Sequence, residues 1–147
     1  MSRARARSAA RLAAVQALYQ REMEQTPLAQ LLHEFHHHRL GATIEDATYA
    51  DAEVAFFDDV VTGVDARLQE IDAAIAANLG DGWTIDRLDR SLRQILRAGS
   101  YELLARADIP TGSVISEYLD VAHAFFDRKE KKFVNGVLDA VARSVRS

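Results

Sequence analysis

The sequence predicts an all-α protein, and three observations support this fold class. Only two prolines and seven glycines interrupt 147 residues, strand-like alternation of β-branched residues is scarce, and apolar residues recur every three or four positions. A chain of this length can bury roughly 70% of its unfolded surface, so it needs no disulfide or metal to fold. We therefore expect a helical bundle protein.

The first half of the chain is expected to contain a long helix, a short helix and a second long helical region. Apolar side chains from Leu12 to Tyr19 form one buried face of a helix over about 8–24. Pro27 can open a short helix that continues to about residue 38. After a polar loop, a helical region is expected over about 51–79, with a bend at Gly63.

The second half is expected to contain three helices after a glycine-rich break at 80–82. Trp83 and Ile85 are expected to anchor a short turn, and Asp89 is a good N-cap for a helix through about residue 107. Ser113 is expected to cap the next helix, which runs to about residue 126. The last helix is expected to start near 131–133 and to run to Arg146, with Gly136 allowing close approach of a crossing helix.

The composition excludes several kinds of site. Cysteine is absent, which excludes disulfides, zinc–thiolate sites and thiol nucleophiles and fits a reducing compartment. The N-terminal stretch has charged residues instead of the apolar segment of a signal peptide, and no run approaches the roughly 18 apolar residues of a membrane span. With no P-loop, dinucleotide fingerprint or Ser–His–Asp arrangement, we expect a cytoplasmic protein without membrane association, enzymatic activity or cofactor.

The net charge of −4 is distributed unevenly along the chain. Residues 1–21 contain five arginines and no acidic residue, whereas residues 22–86 contain two arginines and fourteen acidic residues. Residues 87–147 are basic again, with eleven basic and eight acidic residues. The two basic ends favour local binding of an anionic partner.

Four N-terminal arginines are separated mostly by small residues: Arg3, Arg5, Arg7 and Arg11. Arginine binds phosphate with two parallel hydrogen bonds and stacks on bases, and flexible arginine-rich segments fold on contact with RNA. We expect residues 1–8 to form such a flexible arm. A solubilising tail has the same composition, and the residues alone leave both interpretations open.

A second basic cluster, Lys129, Lys131 and Lys132, directly precedes Phe133 at the expected start of the last helix. Lysines and the free N–H groups of a helix N-terminus bind phosphate, and stacking on an aromatic ring contributes about 1–3 kcal/mol per base. The alternative is that Phe133 belongs to the hydrophobic core and that the lysines lie in a loop.

Two further clusters are more simply explained by solvation. His33 and His37 are spaced to bind a metal from one helix face, but no cysteine completes the site, so we expect a solvated helix end. Acidic residues of the long helical region are candidates for metal binding or acid–base chemistry, and we expect them on a polar helix face in water or against a basic partner. These residues are Asp58, Asp59, Asp65 and Asp72.

Four stretches of the sequence resemble the NusB family of bacterial transcription antitermination factors. They are "LAAVQALYQ" (12–20), "RLDRSLRQILRAGSYELL" (87–104), "DIPTGSVISEYLDVAHAFF" (108–126) and "KFVNGVLDAVA" (132–142). The similarity covers most of the chain and is densest from residue 83 to residue 142, whereas residues 26–50 match poorly. The order of the motifs ILR, YELL, DIP, VISEY and FVNGVLD is highly specific.

The resemblance implies a fold and a function. The expected fold is two small crossed helical bundles in one compact domain over residues 1–147. The family binds the boxA RNA of ribosomal RNA leaders together with NusE, a ribosomal protein of the small subunit, and the pair joins an RNA polymerase antitermination complex. Family RNA contacts come from the arginine-rich N-terminus, from the tyrosine that matches Tyr19, and from the pair that matches Lys132 and Phe133.

We therefore expect the two basic ends of the chain to meet in space and to form one RNA-binding surface. The residues expected to bind RNA are Arg3, Arg5, Arg7, Arg11, Tyr19, Lys129, Lys132 and Phe133.

Two alternative functions remain open. The chain also resembles the N-terminal RNA-recognition module of a ribosomal RNA methyltransferase, which would require a glycine-rich cofactor domain after Ser147. The other alternative is a helical adaptor that binds only protein, or a homodimer whose contact surface hides the RNA-binding residues. Absence of RNA affinity at low salt would favour this second alternative.

Overall fold

The computed structural model describes residues 3–38 and 47–146, with side chains for 4–37 and 53–146. Within these ranges all regular structure is helical, which confirms the predicted fold class. Contacts divide the chain into two compact units, Met1–Gly63 and Val64–Ser147. The helices are α1 Arg3–Glu24, α2 Leu28–His38, α3 Ala47–Ala66, α4 Leu68–Ala76, α5 Arg90–Ala105, α6 Thr111–Phe125 and α7 Arg128–Val145.

Helix α1 begins at Arg3, five residues before the expected start. Alanine and arginine are strong helix formers, and the Ser8 hydroxyl donates a 3.0 Å hydrogen bond to the Ala4 carbonyl within this first part. The segment from residue 3 onward is therefore helical where we expected an irregular arm. At the other end, Gln25 has a left-handed backbone (φ 54°), and Arg21 Nη1 donates to the Thr26 carbonyl at 2.7 Å.

The first unit has an aromatic core between α2 and α3. The rings of Phe35 and Phe57 are stacked with centroids 5.4 Å apart, and both side chains are buried. Leu31 and Val60 are fully buried in the same unit. The short helix α2 has the bounds that the sequence predicted, because Pro27 and the apolar spacing after it define its first turn.

The long helical region predicted over 51–79 is divided into α3 and α4 at Arg67, four residues after Gly63, where we expected a bend. Arg67 has non-helical backbone angles (φ −115°, ψ 25°), and its guanidinium holds the Glu70 carboxylate through bonds of 2.8 and 3.0 Å. The apolar spacing continues through this break, from Val64 to Leu68, so periodicity alone could not locate it.

In the second unit, α5 and α6 begin at different kinds of cap. Asp89 is the N-cap of α5, as predicted, and its Oδ1 accepts hydrogen bonds from the Ser91 and Leu92 amides at 2.9 and 3.1 Å. Helix α6 begins after Pro110, so the prediction that Ser113 caps it is wrong. Pro110 is itself the N-cap residue, with an extended backbone (φ −60°, ψ 145°) that the restricted φ of proline allows.

Gly99, not Gly136, is the glycine that allows helices to approach closely. A Cβ on Gly99 would lie 3.0 Å from Leu138 Cδ2 on α7 and 3.4 Å from the Tyr118 ring on α6. Gly136 is exposed, and a Cβ there would have no described atom within 4 Å, so its predicted role is wrong. Near this contact the Tyr118 hydroxyl donates to the buried carboxylate of Glu102.

Arg146 ties the C-terminal end of α7 to the C-terminal end of α5. Its guanidinium donates to backbone carbonyls of the last turn of α5 and of the loop that follows it. The acceptors are the carbonyls of Leu103, Ile109 and Arg106 at 2.8 Å and of Glu102 at 3.2 Å, and the Thr111 hydroxyl at 3.0 Å. Local sequence patterns could not predict this contact, because it joins residues about forty positions apart.

Arg146→Ala is expected to lower the free energy of unfolding by about 2–4 kcal/mol, because it leaves several carbonyls without their charged donor. Arg146→Lys is expected to restore less than half, since an ammonium group lacks the planar fork of guanidinium. Arg143→Ala is the control, because Arg143 is 75% exposed and pairs only at the surface with Asp139. Equal losses for Arg146→Ala and Arg143→Ala in urea unfolding would contradict this role.

Glu53 on α3 is only 4% exposed, and burial raises the pKa of its carboxyl. A raised pKa means that the Glu53 carboxyl binds its proton more tightly in the folded protein than in the unfolded chain. The stability that the protonated carboxyl contributes is therefore lost as pH rises through the folded pKa. Glu53→Gln is therefore expected to raise the free energy of unfolding at neutral pH and to change it little in acid. The test is urea unfolding over a pH series, with exposed Glu24→Gln as the control. A gain in the free energy of unfolding that does not depend on pH would contradict the prediction.

Candidate nucleic-acid interface

Helix α7 has one buried apolar face and one exposed polar face. The buried face consists of Val134, Val137, Leu138 and Val141. The helix begins at Arg128, three residues before the expected start, and so the lysine cluster lies within its first two turns. The acidic Glu130 in the first turn interacts favourably with the positive end of the helix dipole, a signal that apolar periodicity does not detect.

Lys129, Lys132, Phe133 and Gly136 occupy one side of α7, since they follow the i, i+3, i+4, i+7 spacing. Both lysines are exposed, and Phe133 is half-buried. Gly136 has no side chain to cover the neighbouring ring. This side of α7, which we call the α7 face, therefore presents two positive charges and part of an aromatic ring to the same region of solvent.

Trp83 adds a second ring beside the α7 face, a contribution that we did not predict from the sequence. Its ring centroid lies 6.2 Å from that of Phe133, with the ring planes tilted by 50°. Trp83 is 52% exposed, although we expected it to anchor a turn. The only signal in the sequence was a single tryptophan next to a glycine-rich break and close to basic residues.

A pocket of about 400 Å³ lies between α6 and the start of α7. Lys131 Nζ lies 3.4 Å from His123 Nδ1 on its wall, and Lys132 lies between the pocket and the α7 face. The lining residues are Leu119, His123, Phe126, Asp127, Arg128, Lys131, Lys132 and Asn135. Because basic side chains outnumber the one acidic side chain, the pocket extends the positive surface of α7.

Two of the N-terminal arginines pack on an aromatic ring of the same unit. The guanidinium of Arg7 lies 4.9 Å from the ring centroid of Phe56, and that of Arg11 lies 4.7 Å from it. Arg7 remains partly exposed, but Arg11 is only 3% exposed. This differs from the expectation that Arg11 is an exposed phosphate ligand, because its side chain is used in packing against Phe56.

The other residues expected at the N-terminal end have different degrees of exposure. Arg5 is exposed on α1, and Tyr19 is 38% exposed near the C-terminal end of the same helix. Arg3 is the first residue of α1, and its side chain lies outside the described part of the chain. The expected meeting of the two basic ends involves both units, and it stays a prediction.

The histidine and aspartate clusters make contacts of their own. The rings of His33 and His37 are 4.3 Å apart, and His36 Nε2 lies 2.6 Å from Asp58 Oδ1. Asp72 accepts two hydrogen bonds from Arg97, so these aspartates do not simply face water as we expected. Among the described residues, no three or more metal-ligating side chains are grouped together, and no helix has the length and apolarity of a membrane span.

Exposed rings among cationic side chains are a surface of the kind that binds nucleic acid by stacking and phosphate contact. Comparison with known proteins identifies the family within this class: residues 8–143 match the model of the NusB family. The chain is 68% identical to the transcription antitermination protein NusB of Sphingopyxis alaskensis over 144 residues, covering 98% of this chain and 97% of the relative. The chain belongs to the NusB family.

Solved structures agree with this assignment. The fold resembles NusB of T. maritima with a TM-score of 0.77 and 33% identity, covering 93% of this chain and 90% of that one. It also resembles a chain in the crystal structure of antitermination factors NusB and NusE in complex with double-stranded RNA. That match has a TM-score of 0.78 and 28% identity and covers 95% of this chain and 98% of the other.

The packing of Arg11 predicts a structural effect of its substitution. Arg11→Ala is expected to lower the free energy of unfolding by about 1–3 kcal/mol, because it removes buried methylene groups and a cation–π contact. Arg5→Ala on the exposed side of the same helix is the control, with an expected change within about 0.5 kcal/mol. Thermal unfolding compares the two variants, and an Arg11→Ala protein as stable as Arg5→Ala would contradict the packing role.

Proposed function

We propose that this chain is a non-enzymatic transcription antitermination factor that binds RNA through the α7 face. The observation that carries this proposal is the placement of Lys129, Lys132 and Phe133 on one exposed side of α7. Phosphates contact the two lysines, and a base stacks on the part of the Phe133 ring that solvent reaches. The NusB names of its relatives and the double-stranded RNA in a related NusB–NusE crystal structure support RNA binding, and the stacking of an unpaired base rests on the exposed ring alone.

Three groups of atoms would bind the RNA backbone. The exposed lysines neutralise phosphate charge, the pocket between α6 and α7 adds His123 and Arg128, and the first N–H groups of α7 have no intrahelical acceptor. In the N-terminal unit, exposed Arg5 and partly exposed Arg7 carry further positive charge. Tyr19 is a further candidate for base stacking because of its exposure.

The proposed partners follow from the family. We propose that the RNA is the boxA segment of ribosomal RNA leaders, that NusE binds with it, and that the pair joins an RNA polymerase antitermination complex in the cytoplasm. The partly exposed rings favour unpaired bases over a duplex, because bases in a duplex are already stacked. A homodimer that covers the α7 face is the competing function, and it would be recognised by loss of RNA binding as the dimer forms.

The proposal is tested by titrating boxA RNA with the chain alone and with an equimolar mixture of the chain and NusE, over a series of salt concentrations. Engagement of four or five phosphates predicts that log affinity falls with log salt with a slope of about −3 for a single strand. NusE is expected to strengthen binding. Absence of RNA affinity at low salt, with and without NusE, would refute the proposal and favour a helical adaptor that binds only protein.

Two substitutions on the α7 face should weaken RNA binding in different ways. Phe133→Ala is expected to lower affinity by about 1–3 kcal/mol with little change in salt slope, because it removes stacking. Lys132→Ala is expected to reduce the slope by about 0.7, the contribution of one phosphate. Arg143→Ala, an exposed cation three turns further along α7, is the control. Identical slopes for Lys132→Ala and Arg143→Ala would contradict the assignment of Lys132 to phosphate.

A further inference from the structure

Trp83 is held in place by its own loop although half of its surface is exposed. The loop turns at Gly82, which has a left-handed backbone (φ 82°), and the Trp83 amide donates to the Gly80 carbonyl at 3.1 Å. Arg87 Nη1 donates to the Gly82 carbonyl at 2.6 Å. The same guanidinium lies 5.9 Å from the centroid of the Trp83 ring, so it supports the ring by a cation–π contact.

Arg93 fixes the loop to α5 from the other end. Its Nε donates to the Ile85 carbonyl at 3.1 Å, and its Nη2 reaches the carbonyls of Asp86 and Leu88 at 3.3 and 3.4 Å. A large ring that is already ordered loses little conformational entropy when a ligand packs on it. The loop therefore presents Trp83 as a preorganised surface.

We propose that Trp83 is a second base-stacking residue, which takes an unpaired RNA base next to the base on Phe133. The inference rests on the proposed function, and it identifies Trp83 as a residue that gives the protein a preference for unpaired bases. Trp83 is 52% exposed beside the α7 face, although Arg87 lies 5.9 Å and Phe133 6.2 Å from its ring centroid. Every base has a π-face, so stacking here requires no particular sequence.

The surroundings of Trp83 favour RNA over a protein partner. Lys129 and Lys132 lie on the adjacent side of α7, where they would contact the phosphates between stacked bases. Two partly exposed rings form a patch much smaller than the apolar core of a stable protein interface. Asp81 and Asp86 are exposed on the loop itself, and their repulsion of phosphate directs the RNA backbone toward the lysines.

Trp83 is the only tryptophan, so its fluorescence reports directly on this position. The full chain, with NusE if NusE is needed for binding, is titrated with boxA RNA and with an RNA of equal length in which the bases are replaced by abasic residues. Stacking predicts quenching by boxA RNA and little change with the abasic strand. Equal quenching by both strands would overturn the proposal.

Substitutions at Trp83 complete the test, and circular dichroism confirms that each variant is folded. Trp83→Ala is expected to weaken boxA binding by about 5- to 100-fold with an unchanged salt slope, whereas Trp83→Phe stays within about threefold of wild type. Phe125→Ala, which removes another exposed ring of the same unit, is the control and is expected to bind normally.

The outcomes separate this inference from the proposed function. If wild type and Phe125→Ala bind RNA and Phe133→Ala binds weakly, while Trp83→Ala binds as wild type, only the role of Trp83 is overturned. If Trp83→Ala lowers affinity for NusE and leaves RNA affinity unchanged, Trp83 is a protein contact and the proposal is overturned. If wild type binds no RNA under any condition, both proposals are overturned.

Discussion

The close packing of α7 at Gly99 determines which side of α7 is available for binding. A Cβ on Gly99 would lie 3.0 Å from Leu138 Cδ2, so a larger residue would displace Leu138 from this contact. With Leu138 and Val134 facing the core, the helical repeat of 100° per residue directs Lys129 to the opposite side. Phe133 lies at the border between the two sides, one turn before buried Val137, and is therefore half-buried.

The arginines of the second unit show why the number of basic residues overstates the charge available to RNA. Several of these guanidinium groups hold the fold together through carbonyl or carboxylate acceptors, and their planar donors suit such contacts. They are Arg93, Arg97, Arg106 and Arg146. The exposed lysines of α7, by contrast, present a compact charge on a flexible stem, which follows a mobile phosphate backbone.

The sequence predicted the features that depend on local patterns. Asp89 was identified as an N-cap because carboxylates accept the free amides of a first turn, and α2 was predicted from Pro27 and the apolar spacing after it. The burial of Arg11 could not be predicted, because the decisive neighbour is Phe56, forty-five positions away. The same limit applies to Trp83, whose exposure depends on how the 80–88 loop packs on α5.

The two rings near α7 differ in how they are held. Phe133 belongs to a helix that packs along its length, so its position is set by the core of the second unit. Trp83 belongs to a loop whose carbonyls are bound by two arginines, so its position depends on a few polar contacts. Both rings are therefore ordered before any ligand binds, Phe133 by the packing of a whole helix and Trp83 by hydrogen bonds within its loop. A single substitution at Arg87 or Arg93 would release Trp83, whereas Phe133 depends on no single polar contact.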